Sequence, residues 1–118
     1  MNRFLFISFL FAFSIALEAQ EKDSANFKHF FYNSGELSSE GFMKDGKPIG
    51  YWKSFYRNSQ LKTEGNRIGE NLDGTWRFYT DKGLLTLIIN YTENKKNGQK
   101  ITFYENGKPN KVEIYVND

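Results

Sequence analysis

Two carboxylates at a fixed interval, Glu40 and Glu64, are the residues of this chain whose type and spacing best suit general acid–base chemistry. Such a pair works when two different environments push the two pKa values apart. Here both glutamates sit in the same setting, Glu40-Gly41 and Glu64-Gly65, 24 residues apart. Ile88 and Val112 continue the interval with apolar side chains, so the column reads as structural. The single histidine, His29, has no second histidine and no cysteine with which to build a metal site or a nucleophilic triad. It falls in the column of Lys53 and Arg77, which reads as a solvated polar position. Gly41 to Pro48 approaches a phosphate-binding loop, but Pro48 stands where a Mg²⁺-binding Ser or Thr belongs, and a strand is expected next instead of a helix. No catalytic residue, metal site or cofactor is assigned, and the chain is read as a non-enzyme.

What remains is aromatic and basic. Tyr51, Trp52, Tyr56 and Trp76, with Lys53 and Arg77, form the candidate binding set. Tyr32 and Tyr104 extend the aromatic series. Exposed aromatics bury large area at low entropic cost, so they stack on sugars or anchor a protein partner. Buried, the same residues are the core of a thin sheet. Lys53, Arg77, Lys95, Lys96 and Lys100 outline a mildly basic edge suited to an anionic membrane or glycan surface. With 16 Lys+Arg against 14 Asp+Glu the net charge is only +2, too weak to point to nucleic acid. There is no cysteine, which excludes disulfides, thiolate metal sites, thiol catalysis and a lipid-modified cysteine.

The elements that must position these residues are set by a 24-residue period. Phe31, Phe55, Tyr79 and Phe103 recur at that spacing, as do Gly35, Ser59, Gly83 and Gly107. Leu37, Leu61 and Leu85 follow it, with Pro109 ending the series. Gly50, Gly74 and Gly98 repeat likewise, and so do Trp52 and Trp76, with Lys100 in the third place. Each unit reads as a β-hairpin: an aromatic-rich strand such as Gly50 to Tyr56, a turn with Asn, Ser or Gly, and a return strand such as Leu61 to Ile68. Trp52 and Phe55 are three apart, so either both faces are used or a bulge shifts one of them. Leu84 to Ile89 is apolar on both faces, as in a strand covered on both sides or one meeting another subunit, and homo-oligomers are compatible with it. No segment has a sustained helical period; at most a turn is expected near Ser24–Phe30.

The first 20 residues stand apart. Met1-Asn2-Arg3 is a short positive start, Phe4 to Leu17 an apolar run, and a polar stretch begins at Glu21. This is the layout of a secretory signal peptide and resembles a bacterial Sec signal, with cleavage expected near Ala19 or Gln20. The expected division is a signal peptide over 1–20, a polar segment over 21–29 and a repeat domain over 30–118, the mature chain being periplasmic, surface-exposed or secreted.

The run Phe31-Tyr32-Asn33-Ser34-Gly35-Glu36-Leu37-Ser38-Ser39-Glu40-Gly41, followed by Gly50-Tyr51-Trp52-Lys53-Ser54-Phe55, resembles the MORN-repeat variant of bacterial proteins. The second unit repeats the pattern through Trp76-Arg77-Phe78-Tyr79, whereas Lys100 and Ile88-Ile89 depart from it. The resemblance implies an all-β fold: an elongated, twisted antiparallel sheet of about four successive hairpins. Seven or eight strands at about 4.8 Å would extend roughly 35 Å. It also implies scaffolding or membrane-lipid contact, and proteins of this variant are often labelled antitoxins. The functional expectation is a non-catalytic, exported module that binds a protein or envelope component. An antitoxin or immunity-like role against a toxin acting outside the cytoplasm, or an anionic lipid or glycan binder, is the alternative.

Overall fold

The structure, a computed structural model, describes residues 25–118. The proposed signal segment lies outside the described residues. Eight strands form one antiparallel sheet in simple chain order: β1 (Asn26–Phe31), β2 (Leu37–Lys44), β3 (Lys47–Phe55), β4 (Leu61–Ile68), β5 (Asn71–Tyr79), β6 (Leu85–Thr92), β7 (Lys95–Phe103) and β8 (Pro109–Tyr115). Neighbouring strands always pair, so contact between elements is overwhelmingly between sequence neighbours. Of the segment expected to hold a turn near Ser24–Phe30, Ser24 lies outside the described residues and Asn26 onward is β1, because Phe27, His29 and Phe30 have ladder partners on β2.

Four near-identical turns make the hairpins. In each, the residue after the aromatic column donates its amide to the carbonyl four residues on: Tyr32 to Glu36, Tyr56 to Gln60, Thr80 to Leu84 and Tyr104 to Lys108. The fourth turn residue is left-handed every time, at Gly35, Ser59, Gly83 and Gly107, which explains the glycine column. The return strand then carries one extra residue. Phe30 faces Ser39 while Phe31 faces Leu37, and the same bulge recurs at Phe55, Tyr79 and Phe103.

The sheet has two distinct faces. Direct cross-strand partners share a face, and alternate residues along a strand return to it. Lys28, Gly41, Trp52, Gly65, Trp76, Ile89, Lys100 and Glu113 therefore lie on one side, the tryptophan face. His29, Glu40, Lys53, Glu64, Arg77, Ile88, Ile101 and Val112 form a single row on the other, the ladder face. Trp52 and Phe55 are thus on opposite faces, so the sheet uses both.

The core is confined to the tryptophan face. Trp52, Trp76 and Ile89 are 7%, 5% and 5% exposed. Each indole leans back over the preceding strand and covers a glycine. A Cβ at Gly41 would sit 2.4 Å from the Trp52 ring, and one at Gly65 would sit 2.3 Å from the Trp76 ring. Each indole N–H then reaches a carbonyl of that strand, Phe42 O at 3.1 Å and Asn66 O at 3.0 Å. The third unit inverts the arrangement. Ile89 stands in the glycine column and Lys100 in the tryptophan column, so the strand that gave space now gives bulk. Leu84 to Ile89 was expected either to be covered on both sides or to meet another subunit. Among the described residues β6 has strands at its two edges and no second layer on either face.

Candidate functional site

The ladder face gathers the side chains with the most chemistry. Its central row runs His29, Glu40, Lys53, Glu64, Arg77 across five strands, basic and acidic groups in alternation, before turning apolar at Ile88, Ile101 and Val112. Alternation of sign places every carboxylate between cationic or basic neighbours, the favourable cross-strand arrangement. His29 Nε2 lies 3.4 Å from a Glu40 carboxylate oxygen.

Glu64 is the hub of the face. Tyr51, on β3, donates its hydroxyl to one carboxylate oxygen, and Tyr79, on β5, donates to the other at 2.5 Å. The consequences for charge are mutual. Burial comes first in raising both phenols, followed by the hydrogen bond to Glu64 and its charge, and both are pushed up to about 12. Burial alone would also raise the Glu64 carboxyl. The two phenolic hydrogen bonds, with the Lys53 and Arg77 charges alongside, outweigh it and hold the carboxyl below its ordinary range. Glu64 is therefore a fixed anion with both oxygens occupied, unsuited to passing protons. Glu40 is two strands away with Lys53 between them, so the two glutamates do not face one another as an acid–base pair.

The candidate binding residues separate into two groups. Tyr51, Lys53 and Arg77 share the ladder face, and Tyr51 is 45% exposed. Trp52 and Trp76 are on the opposite face and are buried, their indoles seated as core over Gly41 and Gly65. Their edges still border a shallow cavity of about 230 Å³ with Ser39, Ser54, Thr63 and Arg67. Tyr56 is committed as well, its hydroxyl donating to Tyr79 O at 2.7 Å and tying one hairpin to the next. The basic edge does not assemble either. Lys53 and Arg77 alternate with glutamates on the ladder face, whereas Lys100 is on the tryptophan face.

One feature of the repeats was missed from sequence. Tyr32 and Tyr56 each donate to a carbonyl of the following unit, Phe55 O and Tyr79 O. Thr80 holds the third place of that column and uses its hydroxyl to accept from the Leu84 amide of its own turn. Where the third ring would lie there is a cavity of about 220 Å³, bordered by Thr80, Leu85, Phe103 and Tyr104. The signal was present in the spacing, since Tyr32, Tyr56, Thr80 and Tyr104 recur at 24 residues, but nothing in the sequence said what the tyrosines reach.

Among the described residues no three His, Asp or Glu side chains converge as a metal site. Gly41 to Pro48 forms the end of β2, a tight turn and the start of β3, with no helix after it.

A single open sheet of repeated hairpins, its Glu64 carboxylate occupied by two phenols, defines a hairpin-repeat scaffold. The MORN repeat variant matches this chain at residues 48–68 and 96–117, so these two segments are similar to that repeat. MORN repeats are in general non-enzymatic modules of protein or membrane contact. No curated protein matches the chain significantly, and no solved structure does.

Proposed function

We propose that this chain is an exported, non-catalytic repeat module that binds a protein or another component of the cell envelope through the ladder face, with Tyr51, Lys53 and Arg77 as contact residues. The observation that carries the reading is the balance of apolar surface. Among the described residues three large apolar side chains are buried and twelve are exposed. Phe27, Phe42, Tyr51 and Phe31 are exposed on the same side as the charged row. Apolar surface set among fixed charges is the composition of an interface, with rings supplying area and the charges supplying register. Export is supported by the positive start, the apolar run and the polar boundary at Glu21.

The test is photo-crosslinking from the full chain in cells, with the photoreactive residue at Tyr51 and, for comparison, at Lys100 on the opposite face. One defined adduct from position 51 that is missing from position 100 is expected, together with a released form starting near Gln20 or Glu21 by mass spectrometry. Equal background from both positions would refute the ladder face as the contact surface. A chain retained in the cytoplasm with Met1 intact would refute export.

A further inference from the structure

The two outer strands of the sheet are complementary and unlike. β1 is of the type that follows a connecting turn, as β3, β5 and β7 are, and β8 is of the type that precedes one, as β2, β4 and β6 are. Three junctions inside the chain already join these two types. They use one register displaced by 24 residues each time: Glu40 opposite Lys53, Glu64 opposite Arg77, Ile88 opposite Ile101. Carrying the displacement one step further sets Val112 of one copy opposite His29 of the next, and Glu113 opposite Lys28.

We propose that this chain assembles head to tail, β8 of one copy pairing antiparallel with β1 of the next in the register of its own internal junctions. Among the described residues each outer strand has a paired strand on one side only, and an open strand edge is the usual template for strand addition. The charges choose the partner. In the inner junctions the column of Glu113 and Lys28 is filled by Gly41 with Trp52, Gly65 with Trp76 and Ile89 with Lys100. Only at the two free edges does it hold opposite charges, so the pairing brings a cation beside an anion at the position where the inner junctions shift register. The apolar side chains agree. All six residues of β1 are exposed, and on the ladder face Phe27 and Phe31 of one edge would join Val112 and Ile114 of the other in one strip. Because the two edges differ, the contact is heterologous and adds copies head to tail. This assembly goes beyond the interaction role and does not depend on it.

The cysteine-free chain allows a direct test. Antiparallel opposite residues have Cα atoms about 4.5–5.5 Å apart, within the range of a disulfide. The full chain carrying His29→Cys with Val112→Cys, oxidised in cells with copper phenanthroline, is expected to give a ladder of dimers, trimers and larger species on a non-reducing gel. The reductant should collapse it to monomer. Seven strand spacings, roughly 34 Å, separate the two edges of one sheet, so a bond within one copy is out of reach. Each single-cysteine variant should stay monomeric. Adding Lys28→Glu to the double-cysteine chain should remove the ladder, and Lys28→Glu with Glu113→Lys should restore it. Monomer alone from the double-cysteine chain overturns the proposal, as does a dimer from Val112→Cys by itself, which would mean β8 pairing with β8. A ladder indifferent to Lys28→Glu overturns the register.

Discussion

Tyr51 and Tyr79 both donate to Glu64, so two phenols and one carboxylate form one hydrogen-bonded cluster on the ladder face. The folded protein holds both phenols up to about 12 against an ordinary 10.0. A raised pKa means stability fully present below the unfolded value and lost as pH rises through the folded one. Thermal stability is therefore expected to fall between pH 10 and about 12, and Tyr51→Phe with Tyr79→Phe should flatten that slope. Glu64 has the opposite sign. Its lowered pKa contributes stability above its unfolded value, lost as pH falls through the folded one, and Glu64→Gln should blunt the acid limb below about pH 4.5. Gly65 makes a second test at this scale. A methyl group there meets the Trp76 ring at 2.3 Å, a buried ring held by its own hydrogen bond. Gly65→Ala should cost about 1–3 kcal/mol in urea unfolding, with Trp76 fluorescence shifted to the red as the indole is displaced.

At the scale of strands, bulk is exchanged between neighbours without changing the sheet. Trp52 and Trp76 fill the space their preceding strands leave at Gly41 and Gly65, and in the third unit Ile89 fills it from the preceding strand itself. The two departures from the repeat, isoleucine for glycine and lysine for tryptophan, are therefore one compensated change. Lys100→Trp alone would drive an indole into Ile89, and Ile89→Gly alone would open the core. Combined, they recreate the Gly65–Trp76 arrangement. A double-mutant cycle by urea unfolding should show a favourable coupling of at least about 1 kcal/mol, and additive losses would refute the exchange.

For the whole molecule, the described residues form a single layer of eight strands in chain order that touch mainly their immediate neighbours, so stability is built up from neighbour to neighbour. The three best-buried side chains are on β3, β5 and β6. Native-state hydrogen exchange should find the amides of β4 to β6 slowest and those of β1 and β8 fastest, in a graded series. Uniform protection across all eight strands would mean that the sheet opens only as one unit. Head-to-tail pairing would raise protection on β1 and β8 with protein concentration while leaving β5 unchanged.

The sequence by itself determined the repeat, its 24-residue interval, the hairpins and their turns. These depend on local signals, glycine or serine in left-handed turn positions and aromatics in strands, and on their recurrence. It also carried the likeness to the MORN repeat variant over two segments, because that pattern is local too. The tertiary structure decided which face each column occupies. Trp52 and Tyr51 are equally aromatic in sequence, yet one is core and the other surface, since strand pairing seats Gly41 beneath the first and Glu64 beside the second. The row from His29 to Arg77 needed the register as well, for its members are 11 or 13 residues apart and meet only when the turns and bulges fix which residues stand opposite.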